Sequence, residues 1–256
     1  MNSKEQKLEA FSKLLDIMDD LREKCPWDQK QDLQSLRHLT LEEVYELSDA
    51  ILVEDLEEIK KELGDVLLHL VFYSKIGSEK NAFDIADVIH SLNEKLIFRH
   101  PHIYGDVEVK DEEEVKQNWE KLKLKEGNKS VLSGVSKGTP SLVKAFRIQE
   151  KVKGIGFEFE NAEDAWKKVE EELVEFHAEE DSEKKETELG DVFFSLINYA
   201  RISGINPDSA LEKTNLKFIT RFQKVEKLAL ERNLNLSEMS LEKMDLLWEE
   251  AKKIKN

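Results

Sequence analysis

A chain of 256 residues with 55 Asp and Glu against 39 Lys and Arg carries a formal net charge of −16. That argues against a nucleic-acid duplex or an anionic membrane as partner, because both are held by basic faces. Charged residues make up 37% and hydrophobic residues 39%, a balance for thin helical layers rather than one deep core, and the sole cysteine, Cys25, excludes an intrachain disulfide or a thiolate metal cage.

The N-terminal residues Met1 to Lys7 lack a secretory apolar segment. No run approaches the ~18 apolar residues of a membrane span, so the expectation is a cytoplasmic protein. Leu8, Phe11, Leu14, Leu15, Met18 and Leu21 recur at helical spacing over Lys4–Lys24. Cys25-Pro26 ends that helix, since the residue before proline is pushed out of the α region. Ser35 or Thr40 is the expected cap of a second helix reaching Leu52. A third spans Asp55–Ile76 with a stripe of Leu63, Val66, Leu67, Leu70 and Val71. Asp84 caps a fourth to about Phe98, broken at Arg99-His100-Pro101-His102. A charged amphipathic helix follows over Asp111–Lys125.

Residues 127–141, GNKSVLSGVSKGTPS, form the one Gly/Ser-rich stretch and read as a linker. The pattern then returns. Helices are expected over Leu142–Lys153, from the cap Asn161 to Glu179, over Ser182–Ile202, from Asn206-Pro207 to Glu231, and over Ser240–Ile254. No segment shows sustained period-two alternation, so the predicted fold is all-α. Two tandem helical domains, 1–126 and 142–256, flank the linker. Glu43 aligns with Glu172, Glu62 with Glu188, Asn93 with Asn215 and Trp119 with Trp248, the mark of a duplicated unit.

Each half carries an EExxE segment and then an ELGD segment: Glu42 to Glu46 and Glu62 to Asp65, then Glu171 to Glu175 and Glu188 to Asp191. Residues three apart on a helix share a face. Two antiparallel helices can therefore bring Glu43, Glu46, Glu62 and Asp65 to one point, and Glu172, Glu175, Glu188 and Asp191 to another. Without a cation such carboxylates repel by about 1 kcal/mol per pair at ~4 Å even in bulk water. A hard divalent ion removes the conflict, and Mg²⁺ takes oxygen ligands while keeping waters. Gly64 and Gly190 sit mid-helix at a cost of ~1 kcal/mol against alanine. The expected reason is close approach of another backbone. Lys95 and Arg99 repeat in register as Lys217 and Arg221, each pair on one helix face and able to clamp a triphosphate. Trp248, like Trp119, can stack a base or pack in the core.

Taken together, CPWD (Cys25–Asp28), LEEVYE (Leu41–Glu46), ELGD (Glu62–Asp65), RHPH (Arg99–His102), GFE (Gly156–Glu158) and the second ELGD (Glu188–Asp191) resemble the MazG-type nucleoside triphosphate pyrophosphohydrolases. These belong to the all-α NTP pyrophosphatase superfamily. The resemblance implies two tandem MazG-like repeats that hydrolyse NTPs to NMP and pyrophosphate with Mg²⁺, Mn²⁺ being able to substitute. It implies broad base tolerance and a homodimer. It also implies Glu172, Glu175, Glu188 and Asp191 as metal ligands, and Glu171 orienting the attacking water. Lys168, Lys184, Lys217 and Arg221 would face phosphate and Trp248 the base. Glu43, Glu46, Glu62 and Asp65 correspond in the first half.

Aligned on ELGD, Glu58 stands opposite Lys184, an anion where the second half offers a cation. The second half is therefore expected to carry most of the activity. Two other readings stand beside this one: a narrower dUTP- or dCTP-preferring pyrophosphatase, and a helical module that senses nucleotide or Mg²⁺ without turnover.

Overall fold

A computed structural model describes residues 1–112, 114, 115, 118, 119, 122 and 130–254. Its contacts divide the chain into two compact units, Met1–Asp111 and Glu112–Asn256. Among the described residues the regular structure is helical and no strand occurs, as the absence of period-two alternation predicts. Nor is any described helix long and apolar enough to cross a membrane. The helix expected over Asp111–Lys125 lies largely outside the described residues.

In the first unit, α1 (Lys4–Lys24) opens on a capping box between Ser3 and Gln6 and stops at Cys25, where Pro26 forbids another turn. A short 3₁₀ turn, Asp28–Lys30, leads to α2 (Arg37–Leu52). Neither expected cap serves α2, whose N-cap is Leu36 without a side-chain bond. Ser35 instead closes a turn with Asp32, each backbone N–H bonding the other's side chain at 2.8 Å. Thr40 lies inside the helix, its Oγ1 bonded to the Leu36 carbonyl and to the Tyr73 hydroxyl. The preceding turn already sets the helix direction, so a capping side chain is dispensable.

Asp55 caps α3 (Leu56–Glu79) through the N–H groups of Glu57 and Glu58. Asp84 and Asp87 form a capping box on α4 (Ile85–Arg99), and α5 (Pro101–Tyr104) is a single turn. The core joins Met18, Leu36, Val71, Phe72 and Ile76, so α1 and the turn before α2 pack on one face of α3. Leu63 and Leu70, from the same predicted stripe, are exposed at 53% and 51%. The apolar stripe of α3 is thus wider than the hairpin it packs in.

In the second unit come α6 (Ser141–Lys153), α7 (Ala162–Ala178), α8 (Ser182–Ile202), α9 (Pro207–Glu231) and α10 (Leu241–Lys253). Asn161, Asp181 and Asn206 cap α7, α8 and α9, and Pro207 takes the first position of α9, where it loses no hydrogen bond. Ala165, Val169, Val192 and Ile197 are buried on α7 and α8. Val225, Leu228, Ala229, Leu247 and Ala251 close α9 on α10. Gln149 ties α6 to α8 by donating to the Phe194 carbonyl at 2.8 Å.

The expected close approach to Gly64 and Gly190 is not found: a Cβ at either would meet nothing within 4 Å. Within the described chain both glycines border open space. The close approach falls instead at Gly77, where a Cβ would lie 2.7–2.8 Å from the Phe83 ring and its carbonyl oxygen. Because a backbone atom is among these neighbours, Gly77→Ala is expected to destabilise the first unit by about 1–3 kcal/mol. The check is a lowered urea midpoint at unchanged slope; an unshifted midpoint would mean that the turn after α3 gives way freely.

Candidate metal centre

The α2–α3 and α7–α8 hairpins turn the two acidic segments toward each other. Glu43 on α2 meets Glu62 and Asp65 on α3, with one carboxylate oxygen from each within 4.8 Å of the others. Glu172 on α7 meets Glu188 and Asp191 on α8 on the same criterion. Each cluster is seated at its inner edge by a buried member, Glu62 (1% exposed) and Glu172 (7%). Glu46 and Glu175 stand outside these groups, but their charges act on Glu43 and Glu188.

The electrostatics of the two clusters are mirrored. In the first unit, the Lys61 ammonium bonds Glu62 Oε1 at 2.8 Å and Glu58 at 2.7 Å. It holds the Glu62 carboxyl below the ordinary range against opposing burial. Across the hairpin, burial first and then Asp65, Glu46, Glu62 and Glu42 push the Glu43 carboxyl up. In the second unit, Lys168 bonds Glu171 at 2.6 Å and Glu172 at 2.7 Å. The carboxyl pushed up there is Glu188, by burial and then Glu175, Asp191, Glu172 and Glu179.

The donor set fits a divalent cation. It is all oxygen, and a group of three carboxylates leaves positions for water. Glu62 Oε2 is buried and has no hydrogen-bond partner, so one ammonium on Oε1 leaves this carboxylate half satisfied. Beside this cluster, one turn beyond Asp65, the buried His69 has its Nδ1 unpartnered and its imidazole held below its usual value by burial. The aligned residue of the second unit is Ser195.

Of the cations expected to face phosphate, Lys168 is at a cluster, on Glu171 and Glu172. Lys184 opens α8 one turn before Glu188. Lys217 and Arg221 stand on α9 and Trp248 on α10, outside the hairpin that carries the carboxylates. There the Arg221 guanidinium lies 5.9 Å from the Trp248 ring, which packs on Phe218 at 5.0 Å. Lys95 and Arg99 belong to α4, none of whose residues is buried. Lys61 was not picked out by the sequence. A lysine in a Glu-rich helix reads as solvated charge, and its one signal is adjacency to Glu62.

Paired acidic hairpins, repeated along a chain whose described regular structure is helical, are a donor arrangement able to hold a divalent cation beside a phosphate. The MazG nucleotide pyrophosphohydrolase domain model matches residues 31–104 and 167–226, one segment on each hairpin. A Thermotoga maritima protein named nucleoside triphosphate pyrophosphohydrolase/pyrophosphatase MazG is 43% identical over 247 residues, covering 94% of this chain and 95% of its own. The Escherichia coli K12 nucleoside triphosphate pyrophosphohydrolase is 35% identical over 258 residues, covering 96% and 98%. The chain belongs to the MazG nucleotide pyrophosphohydrolase family and is a hydrolase acting on phosphorus anhydrides.

Proposed function

We propose that the chain hydrolyses nucleoside triphosphates to nucleoside monophosphate and pyrophosphate, with Mg²⁺ as its ion and the second unit as its main site. The observation that carries this is the meeting of carboxylate oxygens from two helices within 4.8 Å, once in each unit. Glu172, Glu188 and Asp191 would hold the ion, with Glu175 beside them, and Glu43, Glu62 and Asp65, with Glu46, correspond in the first unit. The bound ion supplies charge neutralisation of the triphosphate and a lowered pKa for coordinated water.

The chain's own groups do the remainder. Glu171, exposed and next to Glu172, accepts a hydrogen bond from the water that attacks the α-phosphorus. Lys168, one turn before Glu172 on α7, and Lys184, in the first turn of α8, take up charge on the phosphates. Water displaces pyrophosphate directly, so no enzyme nucleophile is needed. The base tolerance we infer is broad, as the likeness to the MazG family implies.

The assembly we infer is a homodimer. Phe193 on α8 and Phe218 on α9 are 57% and 56% exposed, and open space lies beside Gly190. A second copy would cover such faces.

Product analysis tests the reaction. Incubation with a panel of NTPs and dNTPs is expected to release NMP and pyrophosphate. EDTA is expected to abolish turnover by at least about 10³-fold, with recovery on adding Mg²⁺. Release of orthophosphate and NDP would place the scissile bond elsewhere. Metal binding without turnover of any triphosphate would favour a nucleotide-sensing module instead.

A further inference from the structure

Among the described residues one lysine bonds each cluster, and the two lysines come from different helices. Aligning the ELGD segments puts Thr187 opposite Lys61, and aligning Glu43 with Glu172 puts Leu39 opposite Lys168. The repeat did not simply copy this ammonium. The first unit supplies it from the ELGD helix, the second from the EExxE helix. In both, the ammonium bridges one cluster carboxylate and one carboxylate outside the cluster: Lys61 joins Glu62 to Glu58, and Lys168 joins Glu172 to Glu171.

We propose that Lys61 and Lys168 are resident counter-ions of the two metal clusters. Each occupies a ligand carboxylate in the metal-free protein, competes with the divalent cation for it, and retreats to its outer carboxylate when the cation binds. This rests on the reading of the clusters as metal centres. The physical case has three parts. Converging carboxylates need positive charge, and an ammonium is what the chain itself can offer. Lysine is a point charge on a flexible stem, so it can leave without breaking a bidentate fit, as arginine could not. And the ammonium is an incomplete substitute, because Glu62 Oε2 stays buried and unpartnered beneath it.

The consequence is a metal affinity held below what the carboxylates alone would give. Matched controls exist in the chain. Lys60 pairs with Glu57, and Lys167 with Asp164 and Glu163, so neither bonds a cluster carboxylate. Replacing Lys60 or Lys61 changes the net charge equally, but only Lys61 touches Glu62.

The test is Mn²⁺ titration of the full chain without nucleotide, following free Mn²⁺ by electron paramagnetic resonance. A Glu188→Ala background reads the first cluster and a Glu62→Ala background the second. Lys61→Gln is expected to tighten Mn²⁺ binding on the order of tenfold, and Lys60→Gln by less than about twofold. Lys168→Gln and Lys167→Gln should differ likewise. Glu58→Gln, which removes the retreat, should weaken binding more than Glu57→Gln. Equal shifts within each pair, no shift, or weaker binding on loss of Lys61 or Lys168 would overturn the counter-ion role. Absence of Mn²⁺ binding in the wild type and in every variant would overturn the metal-centre reading itself, and this proposal with it.

Discussion

Glu188→Ala is expected to cut triphosphate turnover at least about 10³-fold, while Glu62→Ala leaves most of it. Glu188 is one of three residues whose oxygens converge in the second unit, so its loss leaves two carboxylates and an open side. On the proposed reading, the equivalent loss in the first unit removes Glu62 from a cluster less suited to a triphosphate. There Glu58, an anion bonded to Lys61, stands where the second unit has the cation Lys184. Measuring kcat and KM for both variants checks the asymmetry, and equal losses would overturn it.

The same site predicts a stability signature that separates lost chemistry from lost folding. The Glu188 carboxyl is raised, so the folded metal-free protein holds that proton more readily than the unfolded chain does. Ionising it at neutral pH therefore opposes folding, and the opposition is relieved as the pH falls toward the raised value. Glu188→Gln should accordingly leave the metal-free protein at least as thermally stable as the wild type near pH 7.5 while remaining inactive. A large drop in melting temperature would mean instead that Glu188 holds the fold together.

Helices were legible because their signals are local. Apolar spacing located α1, α3 and α8, and Asp84, Asn161 and Asn206 capped the helices that they precede. The Ser35 and Thr40 alternatives missed because α2 is launched by a turn held through Asp32, a pairing that does not follow a capping pattern. Repetition made the carboxylate clusters legible: an acidic segment in so acidic a chain means little once, and much more when it recurs with its partner.

What spacing cannot give is the partner across a gap. Lys151 is one more lysine on an amphipathic helix, yet it is buried and its Nζ donates to the Ser133 carbonyl at 2.9 Å, pinning the segment before α6. Lys61 differs, since its partners Glu58 and Glu62 are local, and it is hidden only because a lysine in a Glu-rich helix reads as solvated charge. Close approach accounts for a helical glycine at Gly77, where the turn into α4 folds back, and not at Gly64 or Gly190.

Arg22→Ala is expected to destabilise the first unit by about 3 kcal/mol, the largest loss anticipated from a single side chain outside the clusters. Arg22 closes the CPWD turn from beneath. Its Nη1 donates to the Asp28 carbonyl and, at 3.2 Å, to the Gln31 carbonyl. Its Nε and Nη2 hold the Glu79 carboxylate at 2.9 and 2.5 Å, and its guanidinium lies 5.4 Å from the Phe72 ring. With the side chain only 11% exposed, truncation removes the donor to the Gln31 carbonyl and the second donor to the Asp28 carbonyl, which keeps only the Gln31 N–H, and opens the edge of the core. The ion pair itself is the smaller part, because the Glu79 side chain is 37% exposed and solvent screens it. Glu79→Gln should therefore cost clearly less than Arg22→Ala.

Titration distinguishes the two contributions. The Arg22 guanidinium holds the Glu79 carboxyl below its ordinary value. That pair's stabilisation is thus fully present above the unfolded carboxyl pKa of about 4.3. It disappears as the pH falls through the lowered folded value. Chemical denaturation from pH 7 down to pH 3 should show this acid loss in the wild type and a smaller one in both variants. At pH 7 the ordering should be wild type, Glu79→Gln, then Arg22→Ala. If the two variants proved equally unstable there, the carbonyl bonds to Asp28 and Gln31 would contribute nothing, and Arg22 would be only half of an ion pair.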